Sequence, residues 1–148
     1  MLPPSIANKS LSELDALNFA VDWDSPVGER IRALGDTRIR DFSSEDLAFL
    51  VRQRVGLQFI VPLSLERLRT HPLTHRDYYP GVLLVAALGV DQSFWHEHPH
   101  WRAELEEIAQ RTIASLRGRS HKTQRKFHIT LEALTEAHDT FAAATPAI

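Results

Sequence analysis

The stretch Tyr79-Pro80-Gly81-Val82-Leu83-Leu84-Val85-Ala86-Ala87-Leu88-Gly89-Val90 decides the fold. From Gly81 to Val90 no side chain is polar, and the run is 10 residues long. A membrane span needs about 20. A helix that is apolar on every side is normally the central, fully buried one. The rest of the chain is therefore expected to wrap around Val82–Val90.

The flanking sequence supplies helices to do so. Ser10 and Glu13 form a capping-box pattern, with Leu11, Leu14 and Leu17 behind it. Ser25-Pro26 reads as an N-cap followed by proline at the first helical position. Val27, Ile31 and Leu34 then share a face, and Gly35 can end that helix. Ser43 reads as an N-cap with Asp46 at N3, and Phe42 and Leu47 flank them as a hydrophobic staple. Leu47, Leu50 and Val51 make the buried stripe, and Gly56 interrupts. Leu57, Ile60, Val61, Leu65 and Leu68 follow helical spacing up to Pro72, with Pro62 tolerable only in a first turn. A short strand at 57–61 is the alternative for that piece. Pro99 starts a long helix with Trp101, Leu105, Ile108 and Leu116 inward, which Gly118 breaks. Phe127, Leu131, Leu134 and Phe141 give the last helix, and Ala142–Ile148 reads as a frayed tail. The expectation is one all-α domain over residues 1–148, with about seven helices.

Composition agrees. A chain of 148 residues buries roughly 70% of its unfolded surface, and its hydrophobic fraction of 43% supplies the core. With no cysteine there is no disulfide, no thiolate metal site and no cysteine nucleophile. The start, Met1 to Lys9, has no basic segment followed by an apolar one, so no secretory signal is expected. A soluble, cytoplasmic protein is the simplest reading. Net charge is −2, but residues 1–50 carry 9 acids against 5 bases, and a basic cluster lies at 117–128. Such asymmetry speaks to partners more than to fold.

Three patterns touch on chemistry. His96-Glu97-His98-Pro99-His100 matches H-E-x-x-H, the zinc metalloprotease signature. That chemistry needs both outer histidines on one continuous helical face. Pro99 breaks the helix between them and pushes His98 out of the α region, so a solvated interhelix turn is expected and neither a metal nor a catalytic residue is assigned. Residues 117–128 hold five bases, two histidines and no acid. Phosphate contacts could use such a patch, yet no aromatic interleaves before Phe127, and a solvated helix junction is the better reading. Asp22-Trp23-Asp24 pairs two carboxylates around an aromatic. Alternate residues face different ways, and Asp24 precedes a helix start where an acid is welcome, so a structural or interface role outranks catalysis. With no serine-nucleophile motif or glycine-rich phosphate loop, a binding module is favoured over an enzyme, and no cofactor is expected.

The middle of the chain goes further. Asp41-Phe42-Ser43-Ser44-Glu45-Asp46-Leu47 is followed by Gln53-Arg54-Val55-Gly56-Leu57. Pro62-Leu63-Ser64-Leu65-Glu66-Arg67-Leu68, Tyr79-Pro80-Gly81-Val82-Leu83-Leu84 and Phe94-Trp95 come next. In order and approximate spacing this resembles the immunity proteins of contact-dependent growth inhibition systems. Their pattern is an acidic helix start, Gln-x-x-Gly-Leu, Pro-Leu-x-Leu-Glu-x-Leu, Tyr-Pro-Gly-Asp-Leu-Leu and Phe-Trp. Two positions depart: Arg52 stands where the family commonly has glycine, and Val82 where it commonly has aspartate.

The resemblance implies a cytoplasmic protein that binds and neutralises one toxin domain delivered by a neighbouring cell. The resemblance also implies a one-to-one complex with a nuclease as the toxin, its basic surface facing acids. No membrane or nucleic-acid partner is expected. On that basis the candidate contact residues are Asp22, Trp23, Asp24, Asp41, Glu45, Asp77 and Tyr78, with Asp46 reserved as a helix cap. The competing reading is a small nucleic-acid-binding regulator using residues 117–128.

Overall fold

The computed structural model describes residues 6, 8–14, 25–73 and 80–143. Among these residues lie nine α-helices. They are α1 (Leu11–Leu14), α2 (Pro26–Gly35), α3 (Ser44–Arg52), α4 (Leu57–Thr70), α5 (Val82–Leu88), α6 (Gln92–Glu97), α7 (Pro99–Arg117), α8 (His121–Lys126) and α9 (His128–Ala143). A 3-10 turn, Ile39–Asp41, precedes α3. No strand occurs among the described residues. A single antiparallel bridge pairs Ser10 with Arg38, beside which the Ile39 amide donates to the Lys9 carbonyl at 2.9 Å.

The apolar helix α5 is the centre. Val82, Leu83, Leu84, Ala86, Ala87 and Leu88 are all buried, and α5 packs against α3, α9, α4 and α7. One buried cluster runs from Leu11 through α5 to Phe141. The entry into α5 is fixed from two sides. Gly81 takes a left-handed backbone with φ 92°, which a side chain would oppose. A Cβ there would meet Thr130 Cγ2 at 3.1 Å and Leu73 Cδ2 at 3.2 Å. The Thr130 hydroxyl donates to the Pro80 carbonyl at 2.8 Å, tying α9 to the turn. At the exit, the buried Trp95 indole donates to the Val90 carbonyl at 3.1 Å and meets the Phe141 ring edge-on, centroids 5.9 Å apart.

The caps read from the sequence are present. Ser43 and Asp46 form a reciprocal capping box on α3, with Phe42 and Leu47 buried beside it. Ser10 and Glu13 do the same at α1, and the Ser25 hydroxyl accepts from the Gly28 amide at 3.0 Å. Gly56 starts α4 with φ 60° and lies against Leu11. Arg102 joins α7 to α9: its guanidinium lies 4.7 Å over the Phe141 ring and donates to the Phe141 carbonyl.

Four expectations need correction. The strand alternative at 57–61 fails, because α4 begins at Leu57. Pro62 is consequently the sixth residue of α4 and lies beyond its first turn. Its ring removes the bond that a backbone N–H would give to the Gln58 carbonyl, and Gln58 is on the exposed side where solvent can replace it. Val27 is 47% exposed, whereas Ile31 and Leu34 are buried. The buried face of α2 runs through Gly28, Ile31 and Gly35, which leaves Val27 on its flank. Ala142 and Ala143, expected in a frayed tail, complete α9, and residues 144–148 lie outside the described residues. The two helices beyond the expected seven, α6 and α8, have six residues each, too few to show a periodic stripe. Leu17 lies outside the described residues.

The left-handed backbone and the close contacts at Gly81 make Gly81→Ala costly, by about 1–2 kcal/mol. Gly89 has φ −84°, so Gly89→Ala is expected to change stability by less than about 0.5 kcal/mol. Urea unfolding of the two variants checks the contrast.

Candidate functional site

The acidic first third resolves into acids used by the fold and acids left on the surface. Asp46 is used twice. One carboxylate oxygen closes the α3 capping box, and the other lies 3.7 Å from the Arg30 guanidinium. Arg30 in turn lies 4.0 Å over the Phe49 ring, so it serves to lay α2 on α3. Asp36 accepts from the Ser12 hydroxyl at 3.2 Å, and Glu13 closes the α1 box. Asp41 and Glu45, by contrast, are exposed. Among the described residues Asp41 has only its exposed neighbour Arg40 at 3.9 Å, a pairing of little consequence for stability. No cation among the described residues pairs with Glu45. Asp22, Trp23, Asp24, Asp77 and Tyr78 lie outside the described residues, so only Asp41 and Glu45 of the candidate set can be placed. They flank the start of α3 together.

That start sits beside the end of α4. The Arg67 guanidinium donates to the Phe42 carbonyl at 2.6 Å, which brings the last turns of α4 next to Ser43 and Glu45. Between the end of α4 and the second half of α7 lies a groove of about 670 Å³. Leu68, Leu73 and Ile108 line it with apolar surface, and Arg69, Arg111 and Arg119 with cationic surface. Arg69 is paired with Glu104, and that side-chain hydrogen bond is the largest influence holding its guanidinium above the ordinary range. Arg111 lies 3.8 Å from Glu107. The groove was invisible in the sequence: packing of α4 on α7 joins positions some 40 apart along the chain, with no motif to announce it.

The basic cluster at 117–128 is the helix junction that was expected. Helix α7 ends at Arg117, and α8 begins at His121. The Gln124 side-chain amide donates to the carbonyls of Arg117 and Arg119, both at 2.8 Å, and fixes the turn between them.

The H-E-x-x-H match is divided as its proline requires. Helix α6 ends at Glu97, His98 has φ −133° and ψ 62°, and α7 begins at Pro99. His98 goes into an aromatic stack: its ring lies 4.2 Å from Trp101, nearly parallel, and 4.5 Å from Phe94. His96 and His100 are left exposed. Among the described residues no three histidine, aspartate or glutamate side chains converge as a metal site would need, and no helix is long and apolar enough to cross a membrane.

What this geometry offers is an all-helical scaffold with charged helix ends and a groove between α4 and α7. Comparison with known families gives its class. The family model for CDI immunity proteins, those of contact-dependent growth inhibition, matches residues 12–105, and the chain belongs to that family. No curated protein and no solved structure matches it.

His96→Ala combined with His100→Ala is expected to change stability by less than about 0.5 kcal/mol, because both side chains are exposed. His98→Ala removes the stack between Phe94 and Trp101 and is expected to cost about 1 kcal/mol. Thermal unfolding separates the two. Stoichiometric zinc in the purified protein, lost in the His96/His100 variant, would contradict the reading of the motif as a turn.

Proposed function

We propose that this protein binds and neutralises the cognate toxin domain of a contact-dependent growth inhibition system. It acts as a non-enzymatic, one-to-one inhibitor in the cytoplasm and occludes the toxin's active site or substrate surface. The observation that carries the reading is the family match over residues 12–105. Neutralisation by a binder needs no chemistry of its own, only a surface that reaches the toxin before the toxin reaches its target.

The charge on the first third supports the kind of surface. Asp41 and Glu45 keep free lone pairs because Asp46 already serves as the cap of α3. Exposed carboxylates next to one another accept arginine or lysine from a basic partner such as a nuclease. Asp22 and Asp24, with Trp23 between them, and Asp77 with Tyr78 would extend the contact with charge and amphipathic anchors. A standard interface buries about 1,600 Å² in total, and a few buried anchors dominate its energy. Charge complementarity mainly speeds capture and rejects wrong partners.

Charge reversal at three positions tests this surface: Asp22→Lys, Asp24→Lys and Glu45→Lys combined. The variant is expected to bind the toxin domain more weakly and to associate more slowly, with a steeper dependence on salt in the wild type than in the variant. Its melting temperature alone should stay within a few degrees of wild type. Stopped-flow association and calorimetry measure these quantities, and unchanged rate and affinity would remove the acidic first third from the interface.

A further inference from the structure

The cations of the α7–α8 junction, Arg117, Arg119, Lys122, Arg125 and Lys126, are all exposed. No carboxylate among the described residues pairs with any of them; Lys126 lies 5.8 Å from the Phe127 ring centroid. Arg117, Arg125 and Lys126 occupy last turns, where a cation complements the helix dipole by some tenths of a kcal/mol. Arg119 lies between helices and has no such role. Lys122 lies in the first turn of α8, the end at which a cation is disfavoured and where no acid offsets it. Gln124 holds the turn that carries Arg119, so its charge is presented on a fixed backbone. Arg119 also lines the groove between α4 and α7, whose apolar part is formed by Leu68, Leu73 and Ile108.

We propose that this end of the molecule is a second contact for the toxin domain, with the cations of 117–126 taking an acidic segment of the toxin. An apolar side chain carried by that segment fills the α4–α7 groove. The inference rests on the immunity reading and adds the partner chemistry of a surface whose cations lie outside the family-matched span. Two observations favour a protein over a nucleic acid. An apolar pocket beside the charge suits a side-chain anchor, which a phosphate backbone lacks. No exposed phenylalanine, tyrosine or tryptophan ring stands among the described residues of the junction to stack a base, since Phe127 is buried. Helix α4 carries both Leu68, which lines the groove, and Arg67, which is bonded to Phe42 beside the start of α3.

The test uses the full chain and the cognate toxin domain, inactivated by mutation. Arg119→Glu, Lys122→Glu and Arg125→Glu combined are expected to weaken binding by about tenfold or more, mostly through slower association. The corresponding glutamine variant should fall between it and wild type, and it guards against a folding defect in the reversal. Ser115→Trp, which fills the groove from an exposed position on α7, is expected to weaken binding through faster dissociation. Unchanged toxin binding in the reversal and in Ser115→Trp overturns the proposal while leaving the immunity reading intact. Failure of the wild-type chain to bind the toxin overturns both. Retention of a random single-stranded RNA by the wild type at about 150 mM salt, lost in the reversal while toxin binding persists, overturns the proposal in favour of a nucleic-acid surface.

Discussion

A helix with no polar face has to be enclosed, and the rest of the structure follows from enclosing α5. Six of its seven residues are buried. Four helices drawn from both sides of it in the chain supply the enclosure, which makes the packing dependent on how the chain enters and leaves α5. The entry is a left-handed glycine held between Leu73 and Thr130. The exit is a buried indole bonded to the last carbonyl of the apolar run and packed on Phe141. Helix α9 touches both points, through Thr130 and Phe141, so the C-terminal helix closes the core.

Enclosure leaves the charged groups at helix ends and on outer faces. Among the described residues most of the ion pairs are exposed on both sides and contribute little to stability. The exceptions are the pairs of Arg30, Arg69 and Arg102: Arg69 joins α4 to Glu104 of α7, and the other two arginines also lie over rings, Arg30 over Phe49 and Arg102 over Phe141. Asp41 and Glu45 beside the start of α3, unlike the capping Asp46, and the cations after α7 can therefore change with a partner while the core stays as it is. The proposed toxin binding would use that separation between a scaffold of buried leucines and a charged surface.

The sequence was most legible where one residue type performs a local task. Each of the three serine N-caps works within four residues of itself, and each is where the pattern put it. Pro99 divides the H-E-x-x-H match for an equally local reason. The apolar run marked the centre because burial on all sides leaves a composition signal that needs no register. Short helices were not legible, since six residues in α6 and α8 carry less than two turns of pattern. Pro62 was misjudged because tertiary packing of Ile60, Val61, Leu63 and Leu65 holds α4 through a residue that local rules exclude. The family motifs pointed mainly at scaffold positions: Leu57 is half-buried, while Leu65, Leu68 and Leu84 are core. The contact surface had only its charge to show it. The groove had no signal at all, because Leu68 and Ile108 meet only after α4 packs on α7.

The central claim is that a rigid helical scaffold captures a toxin domain through the charged ends of its helices. Hydrogen–deuterium exchange of the chain, free and bound to the inactivated toxin domain, tests it most directly. The account predicts slower exchange on binding in residues 41–46 and 115–126, with the already protected amides of α5 unchanged. Absence of any complex, or protection confined to the α6–α7 elbow at residues 92–101, would contradict it.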